Sequence, residues 1–249
     1  SNLENLLKNK KIIKISRKSK YLIIHFKNEK YLIIHLGMSG TLHFIKRNNK
    51  NFQTNLSFYN SKQLPTKHNH VEIFFSNFKI VYNDPRRFGF FKFLISKKEL
   101  NDFFKNIGPE PLEASFDIIY LKKKLQNREK NIKNFLLDQK FVSGLGNIYA
   151  NEILFYSKID PFKKGKDISN NELKQIFKYS KLVLKKAIKK GGSTIRNFKN
   201  VKGNIGTFQK EFKVYGKEGI NCPTKKCREK IIRFIISNRS TYLCKYCQK

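Results

Sequence analysis

Between residues 21 and 45, apolar side chains come in short runs separated by polar turns. Tyr21-Leu-Ile-Ile-His-Phe26 and Tyr31-Leu-Ile-Ile-His-Leu36 nearly repeat each other across Lys27-Asn28-Glu29-Lys30. Short runs rich in Ile, Tyr and Phe, bounded by such turns, predict a β-hairpin with both strands largely buried. The second strand leads through Gly37-Met38-Ser39-Gly40 into a third, Thr41-Leu-His-Phe-Ile45. After a polar, loop-like stretch at 48–66, Val71-Glu-Ile-Phe-Phe75 and Phe78-Lys-Ile-Val-Tyr82 predict two more strands turning at Ser76-Asn77. Strands joined by short turns make this half an antiparallel β-domain.

Gly108-Pro109-Glu110-Pro111-Leu112 is a stiff break, and beyond it the period becomes helical. Residues 120–126 and 132–138 read as short amphipathic helices. Ser169 with Glu172 forms a capping box for a longer helix, with Leu173, Ile176, Phe177, Ser180, Val183, Leu184, Ala187 and Ile188 on one face. Gly191-Gly192 stops it. Residues 199–207 read as a flexible loop, 211–215 as a strand, and 230–236 with 241–243 as a hairpin turning at Ser237-Asn238-Arg239-Ser240. The expected fold class is α+β: a β-domain over 1–107, a linker at 108–112, a helical domain over 113–215 and a finger over 216–249.

Charge changes the picture. Among 249 residues, 53 Lys and Arg stand against 18 Asp and Glu, a net charge of +35. Such a charge attracts a polyanion, with nucleic acid the first candidate. The abundance of Lys, Asn, Ile and Phe also fits the codon bias of an AT-rich genome, which would spread part of that charge over solvated faces. No run is long and apolar enough to span a bilayer and no signal peptide is evident, so a soluble cytoplasmic protein is expected.

All four cysteines lie near the carboxy terminus, as Cys222-x4-Cys227, sixteen residues, then Cys244-x2-Cys247. Two close pairs bounding a hairpin suit one tetrahedral zinc ion, each pair forming a knuckle. Two disulfides are the weaker reading, because a chain of this length without further cysteines is not a disulfide scaffold. Other motifs leave two readings open. Met38, between glycines, is either held at a surface or gap-filling core, and core is the better reading of the residue alone. His68 and His70 lack a carboxylate or cysteine to complete a metal set, so they face phosphate or solvent. Asp84-Pro85-Arg86-Arg87-Phe88-Gly89 is either a loop that inserts Arg and Phe between bases or a structural turn with a surface arginine pair. The glycines of Gly144-Leu145-Gly146, ahead of a helix start, can leave backbone N–H groups facing a phosphate.

Taken together, His35-Leu-Gly-Met-Ser-Gly40, Asn83-Asp-Pro-Arg-Arg-Phe-Gly89, Gly108-Pro-Glu-Pro-Leu112, Gly144-Leu-Gly-Asn-Ile-Tyr-Ala150, Val214-Tyr-Gly216 and Arg239-Ser-Thr241 before the cysteine finger resemble formamidopyrimidine-DNA glycosylase over essentially the whole chain. The resemblance implies a β-sandwich-like amino-terminal domain, a helix-two-turn-helix domain and a zinc finger. It also implies a bifunctional, monomeric enzyme acting on duplex DNA. The enzyme would flip oxidised purines (8-oxoguanine, formamidopyrimidines) out of the stack, cleave the glycosidic bond and nick abasic sites by β- and δ-elimination. By the same resemblance, Met38, Arg86 and Phe88 fill the gap left by the lesion. His35, His68, Arg128, Lys133, Asn147, Tyr215 and Arg233 contact DNA. Lys20 and Arg239 do so as well and serve as proton donors in the eliminations. Glu152 matches a carboxylate at the lesion site, with a plain helix-face role as its rival, and residues 201–207 close over the flipped base.

The chain departs from that pattern at its start, which lacks the family's amino-terminal proline nucleophile and the glutamate after it. The expectation is therefore a truncated chain that binds and kinks DNA weakly, with an unpaired sheet edge prone to aggregation. Smaller departures are the x4 knuckle, Asn69 where aspartate is usual, and Asn204, Ile205 and Thr207 in the lesion loop. An endonuclease VIII-like glycosylase, a non-catalytic module for damaged or kinked DNA, and a basic zinc-finger RNA binder are the alternatives. The last leaves the Arg-Arg-Phe loop unexplained.

Overall fold

The computed structural model describes residues 2–46, 66–193 and 206–249. The expected loops at 48–66 and 199–207, the latter containing the lesion loop at 201–207, lie outside the described residues except at Thr66, Gly206 and Thr207. The chain divides into two compact units, Ser1–Lys105 with Ser193–Gly206, and Asn106–Gly192 with Thr207–Lys249.

The first unit contains α1 (Asn2–Leu7), β1 (Ile12–Lys18), β2 (Tyr21–Phe26), β3 (Lys30–His35), β4 (Thr41–Lys46), β5 (Asn69–Phe74), β6 (Phe78–Asn83), β7 (Phe90–Leu94) and α2 (Lys97–Phe104). The strands form two antiparallel sheets, β1-β2-β3-β7 and β4-β6-β5. The predicted hairpin is β2–β3, in register from Tyr21↔His35 to Phe26↔Lys30. Asn28 and Glu29 both take positive φ to close its turn. One face of this hairpin, with Ile24, Phe26, Leu32 and Ile34, packs with Phe91, Phe93 and, from the other sheet, Ile73. On the opposite face Tyr21 meets Phe103 and Phe104 edge-on, with ring centroids 5.4 and 5.6 Å apart. Burial on both faces is why the two strands show apolar runs rather than alternation. Each fully buried Ile or Leu contributes roughly 1.5–3 kcal/mol.

α1, β1, β7 and α2 were not expected. α2 nevertheless carries a signal: Ser96 Oγ accepts from Glu99 N, and Ile95 N donates to the Glu99 carboxylate.

The second unit holds α3 (Ile118–Leu125), α4 (Ile132–Leu137), α5 (Asn147–Ser157), α6 (Asn170–Lys189), β8 (Ile232–Ile236) and β9 (Arg239–Leu243). α5 is the central element. Its residues 150–155 are all buried, so it presents no solvent-exposed face there, and its polar members Asn151 and Glu152 must find partners inside. α6 lays Leu173, Ile176, Val183 and Ala187 of the predicted stripe into the same core, with Phe177 and Leu184 partly buried against it, whereas Ile188, at the end of the stripe, is exposed. The capping box at Ser169 and Glu172 is formed, and Glu172 also ion-pairs with Lys163 at 2.7 Å. The helix ends where Gly191 and Gly192 turn left-handed, their N–H groups bonding the carbonyls of Ile188 and Ala187.

The strand expected at 211–215 does not form. Phe208–Glu211 is a short 3-10 helix, and the N–H groups of Lys213, Val214 and Tyr215 all donate to the Glu152 carboxylate. A side chain has taken the bonds a neighbouring strand would have made. The finger packs on the end of α5 through a cluster of Phe155, Val214, Cys222, Ile231 and Cys244. No helix among the described residues is long and apolar enough to cross a membrane.

Ser169→Ala removes the cap of the longest helix and leaves a first-turn N–H without its side-chain acceptor. It is expected to lower unfolding free energy by about 1 kcal/mol, read as a lower urea midpoint at unchanged slope.

Candidate nucleic-acid interface and metal centre

In the first unit, two loops stand against each other. The 37–40 loop carries Met38, whose exposure of 63% rejects the core reading, and the 84–89 loop carries Phe88 at 54%. The Arg86 guanidinium lies over the Phe88 ring, 4.6 Å from its centroid. Gly37 has φ +65°, and a Cβ there would come within 2.6 Å of the Phe88 carbonyl carbon, so no larger residue fits. Asp84, fully buried, lies beneath both loops. Its carboxylate accepts from Ser39 Oγ (2.5 Å), Tyr82 OH (2.7 Å), Gly89 N (3.0 Å) and Arg86 N (3.2 Å). Burial alone would raise the pKa of this group, but the four hydrogen bonds outweigh it and hold the carboxyl at about 2.

His35 adjoins this pair of loops. Its Nδ1 accepts from Gly37 N at 3.1 Å, which puts the proton of the neutral ring on Nε2. Burial, and after it the charge of Lys20, lowers its pKa. Lys20 is exposed in the two-residue turn between β1 and β2. The histidine pair divides. His68 is half-buried and its carbonyl accepts from Asp84 N, whereas His70, expected to face phosphate or solvent, donates Nε2–H to the Asp84 carbonyl at 2.8 Å. Asn69 accepts from Asn83 Nδ2 at 2.8 Å through its amide oxygen, an acceptor that aspartate would equally provide.

In the second unit, four of the singled-out residues gather at the start of β9. The Ser240 carbonyl accepts from both Lys133 Nζ and Asn147 Nδ2, each at 2.9 Å. Lys133 also donates to Thr241 Oγ1 at 2.6 Å, and Arg233 Nε donates to Ser240 Oγ at 3.2 Å. Arg239 is the exposed neighbour, following a tight turn in which Ser237 and Asn238 both take positive φ. Lys133 has no exposed surface, and burial, followed by the Arg239 charge, lowers its pKa to about 7.

α5 adds two more ties. Asn151 Oδ1 accepts from Tyr242 N at 2.7 Å, and the Glu152 carboxylate is fully buried on the three N–H groups at 213–215. Burial raises the Glu152 pKa against the pull of those bonds. Tyr215 is half-buried, its ring 5.2 Å from that of Tyr242. Ahead of α5, Gly144 and Gly146 leave open space where a Cβ would lie. Arg128 is exposed and lines a cavity of about 400 Å³ with Lys124, Lys130 and Lys140. The sequence reading assigns no site role to Asp84, Ser39, Tyr82 or Asn151. Asp84 had read only as a turn opener before Pro85.

The four cysteines come together. Cys222 and Cys247 Sγ are 3.8 Å apart, Cys227 and Cys244 Sγ 3.7 Å, and all four lie within 4.8 Å of one another. These spacings exclude disulfides, whose sulfurs sit about 2 Å apart. Four thiolates about 2.3 Å from a tetrahedral metal would be about 3.8 Å from each other, so the residues fit a metal ion. The longer knuckle closes with Lys226 at φ +67°, and Cys227 N bonds to Thr224 O. Burial pushes the Cys244 thiol up to about 12, so a metal must displace its proton to bind.

Two family models match the chain: the formamidopyrimidine-DNA glycosylase N-terminal domain over residues 1–91 and the formamidopyrimidine-DNA glycosylase H2TH domain over 107–199. The formamidopyrimidine-DNA glycosylase of Rickettsia bellii is 42% identical over 250 residues, spanning 100% of this chain and 86% of its own. That of Wolbachia pipientis from Culex pipiens is 40% identical over 248 residues, spanning 99% and 85%. Among solved structures, Lactococcus lactis Fpg in complex with abasic-site DNA superposes at TM-score 0.85 with 34% identity, over 100% of this chain and 86% of that one. MutM in complex with DNA containing carbocyclic 8-oxo-G superposes at 0.85, also with 34% identity, over 100% and 85%.

Two outcomes follow from this geometry. Cys244→Ser should abolish metal retention, measured by elemental analysis of the purified protein, and should lower the melting temperature. The carboxyl of Asp84 titrates near 3.8 when unfolded and at about 2 when folded, so its contribution is complete above the former and disappears as pH falls through the latter. Wild type should therefore lose roughly 2 kcal/mol more than Asp84→Asn between those pH values, measured by urea unfolding.

Proposed function

Since this chain belongs to the formamidopyrimidine-DNA glycosylase family, we propose that it is a base-excision repair enzyme. It removes oxidised purines, 8-oxoguanine and formamidopyrimidines, from duplex DNA and nicks abasic sites by β- and δ-elimination. The observation that carries the reading is the wedge formed by Met38, Arg86 and Phe88. Two large apolar side chains are held out in solvent, and a guanidinium is already stacked on one of them. When a base leaves the stack, Met38 and Phe88 fill the gap, and the Arg86 donors meet the acceptors of the orphaned cytosine.

Lys20, His35 and His68 in the first unit, and Arg128, Asn147, Tyr215, Arg233 and Arg239 in the second, bind the DNA, mostly at phosphates. Neutral His35 presents Nε2–H as a donor. Lys20 and Arg239, both exposed, stabilise the phosphate leaving groups of the eliminations and supply protons. Lys133 acts from beneath by holding the Ser240 carbonyl beside Arg239. Glu152 acts by fixing the backbone that carries Tyr215. The metal is one zinc ion on Cys222, Cys227, Cys244 and Cys247. Four protein ligands leave no open position, so its role is structural. The protein works in the bacterial cytoplasm, where its DNA substrate is.

The test uses the full-length gene product with a duplex bearing one 8-oxoguanine opposite cytosine. The expected result is a strand nick and, on an abasic duplex, a covalent adduct trapped by borohydride. Arg86→Ala should weaken binding to an abasic-analogue duplex by about 10- to 100-fold, roughly 1.4–2.8 kcal/mol, with little change for undamaged DNA. Equal affinity of wild type for both duplexes would refute the reading. Selective binding with neither nick nor adduct would favour a non-catalytic module for damaged DNA.

A further inference from the structure

Three sequence motifs far apart in the chain meet at one buried carboxylate. Ser39, next to Met38, donates to Asp84 Oδ1, and so does the backbone of Arg86. Gly89, next to Phe88, and the Tyr82 hydroxyl donate to Oδ2. The backbone of Asp84 ties in the third motif: its N–H donates to the His68 carbonyl at 2.9 Å, and its carbonyl accepts from His70 Nε2. Arg87 N also points at that carbonyl, at 3.3 Å, and helps hold Arg87 at φ 55°, a left-handed conformation that costs a non-glycine residue free energy.

We propose that Asp84 is a positioning residue that locks the 37–40 and 84–89 loops into a single rigid wedge, and thereby sets how strongly the protein distinguishes a lesion from an intact base pair. The proposal rests on the DNA-repair reading above. Neither loop lies within a strand or helix that could fix its shape. Side chains as exposed as Met38 and Phe88 lose freedom when they enter a duplex, and a loop ordered beforehand avoids the backbone part of that loss. The loops also meet backbone to backbone: a Cβ on Gly37 would strike Phe88, and one on Gly40 or Gly89 would strike the Tyr82 ring or hydroxyl. A displacement of one loop therefore reaches the other.

Only a carboxylate suits this place. The four donors require four acceptor sites, two on each oxygen. In Asp84→Asn one end becomes an NH2 group. The Ser39 or Tyr82 hydroxyl can rotate to accept from it, but the backbone N–H of Arg86 or Gly89 on the same side cannot. The 84–89 loop therefore loses one of its two backbone anchors whichever way the amide turns, and the Ser39 tie to the 37–40 loop is reversed or kept beside it.

The experiment measures the ratio of Kd for an undamaged duplex to Kd for the same duplex with a tetrahydrofuran abasic analogue, in the full-length protein. Asp84→Asn should lower that ratio about tenfold while affinity for undamaged DNA stays within about threefold, since a buried group acting through the wedge does not touch the backbone phosphates. Ser39→Ala cuts only the tie to the Met38 loop. It should lower the ratio in the wild-type background and have no further effect in Met38→Ala, a non-additivity that general destabilisation does not produce. A discriminating wild type with an unchanged ratio in Asp84→Asn overturns this proposal alone. A wild type without discrimination overturns the DNA-repair reading, and the proposal with it. Should Asp84→Asn fail to fold, the Ser39 and Met38 cycle decides, and additive effects overturn the proposal.

Discussion

Glu152 holds a carboxylate away from water in the middle of a helix, and the arrangement of the second unit follows from how that group is satisfied. Leaving it without partners would cost several kcal/mol. Three consecutive backbone N–H groups, at Lys213, Val214 and Tyr215, supply the bonds. Asn151, the preceding residue, accepts from Tyr242 N, and Asn147, one turn earlier, reaches the Ser240 carbonyl. One stretch of α5 thus holds both the segment entering the finger and the finger's second strand. Val214, between two of the bonded amides, is fully buried against Cys222, Ile231 and Cys244. The finger is too small to make a core of its own, and it borrows one from the helix that holds it.

The positive charge has more than one use. On α6, Lys181 lies 4.2 Å from the centre of the Phe177 ring, Lys178 lies over Tyr179, and Lys186 covers Tyr156. These lysines bring their ammonium groups over aromatic faces, a cation–π contact that draws on the ring's negative face. A lysine-rich composition gives such a helix a solvated coat, and that part of the +35 serves the fold locally. Arg239, Arg233 and Lys133 differ, because they converge on one backbone carbonyl and its neighbours.

Much of this was legible in the chain, and the legible part shares a physical character. The β2–β3 hairpin, the Ser169 cap, the glycine stop of α6 and the paired cysteines are all set by residues a few positions apart. What escaped reading depends on partners far away in sequence. Nothing near residues 211–215 says that a carboxylate on another helix will take their amides in place of a strand. Nothing around Lys133 says that it is buried, because its acceptors at Ser240 and Thr241 come from the far end of the chain. Asp84 looked like the ordinary start of an Asp-Pro turn. The family resemblance gave roles to Met38, Arg86 and Phe88 but none to the carboxylate beneath them, since a motif records which residues recur and not which atoms meet.

The close approach of the 37–40 and 84–89 loops also bears on how such a protein can change over generations. Gly37, Gly40 and Gly89 have no room for a side chain, so the backbones there can drift only together. The tips carry no such restriction: Met38 and Phe88 project into solvent, and the contact described at Phe88 is the Arg86 guanidinium stacked on its ring. Variation is thereby steered to the two side chains that would meet a substrate, over a frame that cannot be edited piecemeal. A descendant could acquire a new preference by replacing those two residues, without rebuilding the scaffold that presents them.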